Sequence, residues 1–189
     1  MDQVRSFLSI DVDDSRVLSE LASVLSALQT IGGDLKTVER ENIHVTLKFL
    51  GNIDSSKLAR VEAALGGVKF PPFPLEVKGA GAFPSLSRIN VIWIGLGDGW
   101  SHVQRIYDQT EKLLLALGFP SETREFSPHI TVARVKSNRK RDEIASLLRG
   151  LSDRPFGTLQ VNAVRLKQSV LSSSGPTYST LFEVRAQGA

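Results

Sequence analysis

The chain contains the same pattern twice. Shifted by 85 residues, the distance that separates His44 from His129, the first half lies on the second: Asp13 on Asp98, Leu18 on Val103, Leu21 on Ile106, Leu28 on Leu113, Gly33 on Gly118, His44 on His129 and Thr46 on Thr131. At a nearly equal shift Leu75-Glu76-Val77 lies on Leu159-Gln160-Val161. Amphipathic helices resemble one another by default, so the apolar matches alone carry little weight. A glycine stop and a His-x-Thr triplet in one register carry more. Two copies of one supersecondary unit bury their apolar faces by packing about a pseudo-twofold axis. The 189 residues are enough for a single domain over 1–189 made of two interleaved lobes.

Periodicity places alternating strands and helices within each copy. Residues 4–12 read as a strand, and about 14–31 as a helix with Val17, Leu18, Leu21, Leu25 and Leu28 on one face, stopped at Gly32-Gly33. A strand at 43–50 follows, then a helix capped by Asp54 or Ser55 that runs to Gly66-Gly67. Prolines 71, 72 and 74 open a strand pair, about 75–83 and 89–96. The second copy supplies a helix from Asp98 or Ser101 to Gly118, a strand at 129–135, a helix at about 138–149, and strands near 158–169 and 178–186. The expected class is α+β.

The chemistry lies in the two His-x-Thr strands. Side chains alternate faces along a strand, so His44, Thr46 and Lys48 share one surface and Ile43, Val45, Leu47 and Phe49 take the core side. In the second copy His129 and Thr131 share a face, with Ile130 and Val132 opposite. Strict alternation then assigns Arg134 to the Ile130 side; a sheet edge or a bulge would release it, and the sequence leaves that open. Two histidines across a twofold cleft suit displacement at phosphorus, which needs a base on the attacking oxygen and an acid on the departing one. Histidine serves either role near neutral pH because its unperturbed pKa is about 6.5. The threonine hydroxyls can bond the non-bridging oxygens, with Lys48 or Arg134 offsetting charge.

HVTLKFLG at 44–51 and SPHITVAR at 127–134 resemble the paired motifs of the two-histidine (2H) phosphoesterase superfamily, above all its RNA 2′,3′-cyclic phosphodiesterases, also called the 2′-5′ RNA ligase family. RSFLSIDV near the N-terminus and GPTY-x-x-L-F-E-V near the C-terminus extend the likeness over essentially the whole chain. The resemblance implies a bilobal fold of two antiparallel sheets backed by helices, with the site in the groove between them. It implies opening of a terminal RNA 2′,3′-cyclic phosphate to a 2′-phosphate without metal or cofactor, and 2′-5′ ligation as the reverse reaction. His44, Thr46, His129 and Thr131 then form the catalytic set, with His129 as proton acceptor, His44 as proton donor, and Arg134 at a basic position after the second motif. Two other readings stay open: a groove that binds a nucleotide or RNA end without turnover, and a phosphodiesterase for 2′-5′ oligoadenylate or a small cyclic nucleotide.

Other features narrow the field. Cysteine is absent, which removes disulfides and thiolate chemistry and suits a reducing cytoplasm. No apolar run approaches the ~20 residues that cross a bilayer, and the N-terminus does not read as a signal peptide. A formal net charge of +3 tolerates an anionic partner but is far from a duplex-DNA binder. A monomer acting on an RNA 3′ end or a cyclic nucleotide is expected, with no membrane partner. Three histidines without cysteine make a zinc site a poor fit. Phe49, Phe126 and Tyr178 are candidates to stack on a terminal base, Tyr178 foremost because it follows the serine turn 172–174. The basic run 136–141 reads as a solvated helix start or as an RNA-steering patch. His102 is expected on the surface, and Gly95-x-Gly97-x-Gly99 as a turn.

Overall fold

The computed structural model describes residues 3–173 and 175–188. The serine turn expected at 172–174 is therefore seen only in part, because Ser174 lies outside the described residues. In chain order the elements are β1 (Gln3–Asp11), α1 (Ser15–Ile31), β2 (Leu35–Thr37), β3 (His44–Asp54), α2 (Ser55–Leu65), β4 (Phe73–Ser85), β5 (Arg88–Leu96), α3 (Trp100–Ala116), β6 (Ile130–Val135), α4 (Arg141–Gly150), β7 (Pro155–Val161), β8 (Ala163–Leu171) and β9 (Pro176–Arg185). Local chemistry explains several boundaries. The Asp14 carboxylate accepts the backbone N–H groups of Arg16 and Val17 at 2.9 Å each and so opens α1. Asp54 does the same for α2 through Lys57 N–H at 2.8 Å. Gly32, at φ 72°, closes α1 in the left-handed conformation that glycine adopts without strain.

The strands run antiparallel in the order β7-β4-β5-β6-β3-β1-β8-β9, with β2 beside β6. Four strands stand on each side of the β3–β6 junction, and among the described residues the two halves meet at one paired position, Val45 with Ile130. The pseudo-twofold axis of the repeat passes between these two residues. The strand expected near 158–169 is in fact two strands. Its apolar residues step from Val161 to Val164, a spacing of three that breaks period two, and the chain leaves β7 beside β4 to enter β8 beside β1. Only Asn162 separates them. Consecutive Cα atoms lie 3.8 Å apart, so the sheet must curl until its two outer regions meet there. Backbone bonds from Ala186 N–H to the Asn162 carbonyl and from Gln187 N–H to the Phe70 carbonyl hold that closure.

The helices cover the face that carries Val45 and Ile130. α1 lies on β6 and β7 beside α4, while α3 packs beside α2 on the β1–β3 side. Each long helix therefore covers the sheet half opposite its own copy. Leu21, Leu28, Ile106, Leu114, Val45 and Ile130 are fully buried at this layer boundary. The uncovered, concave face is the one onto which both histidines project.

Candidate active site

Two β-bulges shape the concave face. Along β3, Ser9 of β1 stands opposite Thr46 but Leu8 stands opposite Lys48, so Leu47 is the extra residue. Along β6, Trp93 of β5 faces Thr131 and Ile92 faces Ala133, so Val132 is the extra residue. Leu47 and Val132 are 85 residues apart, the repeat offset. Each bulge reverses the alternation after its His-x-Thr triplet.

This corrects two expectations. Lys48 does not line the groove: it turns into the helical layer, 4% exposed, where its ammonium pairs with Glu111 of α3 and donates to the Pro120 carbonyl at 2.9 Å. Phe49 does not face the core; it stands 63% exposed, its ring 6.0 Å from that of Phe7. In the second copy the bulge returns Arg134 to the face of His129 and Thr131, where its charge acts on His129. Phe49 and Arg134 occupy equivalent places in the two repeats.

The histidines are held alike. His44 Nδ1 lies 2.7 Å from the carbonyl of Asn42, and His129 Nδ1 lies 2.7 Å from that of Ser127, in each case the residue two before. A carbonyl can only accept, so each Nδ1 carries the proton and each neutral ring keeps its lone pair on Nε2. His44 Nε2 sits 3.0 Å from the Thr46 hydroxyl, whereas His129 Nε2 has no hydrogen-bond partner among the described residues. With Val45 opposite Ile130 in an antiparallel pair, the register brings His44 towards Thr131 and His129 towards Thr46.

Aromatic rings flank both imidazoles. Phe7 and Tyr178 stand 5.1 and 5.5 Å from His44 between ring centres. Phe83 stands 4.9 Å from His129, with Trp93 at 6.5 Å. The Trp93 indole lies flat over Gly81, where a Cβ would overlap it. Burial among these rings pushes both histidines below the ordinary 6.5; the bond to a backbone carbonyl opposes this in each. For His44, Lys167 and a charge on His129 lower it further while Asp11 opposes them, so the two rings sense each other. Asp11 is itself engaged, accepting from Lys167 Nζ at 2.7 and 2.8 Å and from Arg165 at 3.1 Å. Burial raises the Tyr178 hydroxyl, and Arg134 and Arg5 oppose that rise.

Of the candidates named from the sequence, His44, Thr46, His129, Thr131 and Tyr178 lie around one groove, and the Val132 bulge adds Arg134, whose face the sequence left open. Lys48 is elsewhere. Phe126 stacks on Tyr107 at 3.9 Å, facing a partner within the fold. His102 lies outside the groove, stacked on Phe73 at 4.7 Å, and is only partly exposed. The helix expected from about 138 opens three residues later, at Arg141, the last residue of the basic run, after Lys140 at φ 61°. Phe7, Phe83, Trp93 and the Asp11–Lys167 pair escaped the sequence reading, because their strands meet the histidines only through long-range pairing. Among the described residues no cluster of three or more His, Asp or Glu is placed to hold a metal ion, and no helix is long and apolar enough to cross a membrane.

Such a site can put a proton-handling Nε2 on either side of a bound group, with a hydroxyl beside each and a guanidinium nearby. The RNA 2′,3′-cyclic phosphodiesterase of Archaeoglobus fulgidus is 40% identical over 178 residues, spanning 94% of this chain and 98% of the relative. That of Aeropyrum pernix is 39% identical over 170 residues, spanning 90% and 97%. In fold, the crystal structure of E. coli LigT complexed with 3′-AMP superposes with a TM-score of 0.77 at 20% identity, over 98% of this chain and 99% of that one. The model of the LigT like Phosphoesterase family matches residues 10–93 and 98–178, one segment for each repeat, and the chain belongs to that family.

Proposed function

We propose that this chain hydrolyses the 2′,3′-cyclic phosphate at an RNA 3′ end to a 2′-phosphate, with His129 as base and His44 as acid. The observation that carries this reading is the paired geometry: each Nδ1 is tied to a carbonyl, so both Nε2 atoms are presented to one groove. His129 Nε2 takes a proton from water as the water oxygen bonds to phosphorus. The bond from phosphorus to the 3′ oxygen breaks, and His44 Nε2–H protonates that oxygen. The Thr46 and Thr131 hydroxyls donate to the non-bridging oxygens, whose charge Arg134 offsets. The exposed Phe49 ring and Tyr178 flank the place of the terminal base. The reverse of the same steps is a 2′-5′ ligation. The relatives' name and the 3′-AMP held by E. coli LigT point to the same substrate class.

The test is incubation with an oligoribonucleotide ending in a 2′,3′-cyclic phosphate, in the presence of chelator. The expected product is the 2′-phosphate, and His44→Ala or His129→Ala lowers the rate by about 10²–10⁴. A 3′-phosphate product, or undiminished rates in both variants, rejects the mechanism. Tight binding with no turnover identifies a binding module instead.

A further inference from the structure

The concave face carries a further pair of opposed residues, beyond the rings of Phe7 and Phe49. A second bulge interrupts β3 at Leu50: Phe7 stands opposite Phe49 and Ser6 opposite Gly51, so Leu50 is the extra residue. Gly51 takes φ 73°, the left-handed conformation that glycine adopts without strain. This bulge returns Asn52 to the face of Phe49, and Asn52 stands opposite Arg5. Directly opposed residues of an antiparallel pair project from one face. β1 and β3 therefore present four rungs to the groove in succession: Asp11 with His44, Ser9 with Thr46, Phe7 with Phe49, and Arg5 with Asn52. Each rung follows the last by two residues of β1, about 7 Å.

Arg5 and Asn52 are both exposed, and neither side chain has a hydrogen bond or ion pair among the described residues. The fold makes no use of them. The Arg5 charge bears on the Tyr178 hydroxyl, which places it beside the rings that flank the base. The order of the rungs matches the order of parts in a terminal nucleotide: a phosphate at the first two and a base on the third turn the far edge of that base to the fourth. A guanidinium offers paired N–H donors and no acceptor, whereas the Asn52 amide offers both. Guanine meets them with neighbouring acceptors at N7 and O6 and a donor at N1. Adenine carries an amino donor where guanine has O6.

We propose that Arg5 and Asn52 read the edge of the terminal base and favour a 3′-terminal guanosine over adenosine. This rests on the phosphodiesterase reading and adds the identity of the base to it.

The experiment compares two short oligoribonucleotides that end in a 2′,3′-cyclic phosphate and differ only in a terminal guanosine or adenosine. Both purines stack on an aromatic ring and both strands carry the same phosphates, so the ratio of the two kcat/KM values isolates the base edge. The wild-type ratio is expected to be about ten in favour of guanosine, the scale of one bidentate contact to a base edge. Arg5→Ala brings it towards one, Asn52→Ala lowers it less, and Arg5→Lys, which keeps donors, retains part of it. Arg149→Ala, at the exposed end of α4 on the helical face, serves as control and leaves the ratio unchanged. A wild-type ratio near or below one overturns the proposal, as does a ratio that survives Arg5→Ala. An Arg5→Ala variant that slows both substrates alike, with a flatter salt dependence, assigns Arg5 to the backbone and overturns it too. In each case ring opening by the wild type leaves the phosphodiesterase reading standing. A wild-type chain that opens neither substrate overturns both.

Discussion

At the scale of single residues, the bond from each Nδ1 to the carbonyl two positions before fixes which nitrogen is presented and which way the ring faces. Burial then sets the charge. Both histidines sit below 6.5, chiefly by desolvation, so the free protein at neutral pH holds two neutral rings. The proposed reaction needs one neutral and one protonated, and that population falls tenfold per pH unit above the higher of the two coupled values. The basic limb of kcat/KM is therefore expected below pH 6.5, because that ratio reports the free enzyme. An anionic phosphate between the rings favours their charged forms, so the basic limb of kcat lies at higher pH. Steady-state rates between pH 4.5 and 8.5 check both; a kcat/KM limb above 6.5 contradicts the argument. The His-x-Thr triplets were legible because residue type and spacing alone reveal them. The rings around them, Tyr178 apart, were not, since Phe7, Phe83 and Trp93 reach the histidines from three other strands.

At the scale of elements, the bulges decide which side chains the groove receives. Period-two reading ran correctly through Leu47 and Val132, the bulged residues, and failed beyond them. The failure had a signal: Leu47 and Leu50, like Val161 and Val164, are apolar residues three apart, and each pair marks a switch of face. In β6 the interrupted alternation after Val132 was visible, but strand pairing alone could say whether it marked a bulge or an edge. Lys48 shows the consequence. Placed by the bulge against Glu111, it belongs to the packing of α3 on β3. Lys48→Met is expected to leave kcat and KM near wild type and to destabilise the fold by about 3 kcal/mol. That is the lower end for breaking a buried pair, since Glu111 keeps some contact with water. Urea unfolding and an activity assay on one sample check this; a large loss of kcat in a well-folded variant would return Lys48 to the groove.

At the scale of the molecule, the repeat was the most legible feature, because duplication leaves a register that needs no structure to see. The curl was not, since it follows from one residue, Asn162, joining strands at distant places in the sheet. Whole-molecule stability carries the histidines' signature. Their folded-state pKa values are depressed relative to the unfolded chain, so the unfolded state binds more protons between those values and 6.5, and stability rises with pH across that window. Their contribution is complete above 6.5 and is lost as pH falls through the folded values. Melting temperatures recorded from pH 8 down to 5 should fall, and the double variant His44→Gln, His129→Gln should fall less; equal slopes would mean that other groups dominate. The equivalence of Phe49 and Arg134 has one more result. Two unlinked copies of a single repeat would offer identical ends, and a ligand could enter either way round. Fusion into one chain let an exposed ring stand at one end and a guanidinium at the other, so the two orientations of an asymmetric guest differ in energy and the cleft acquires a direction.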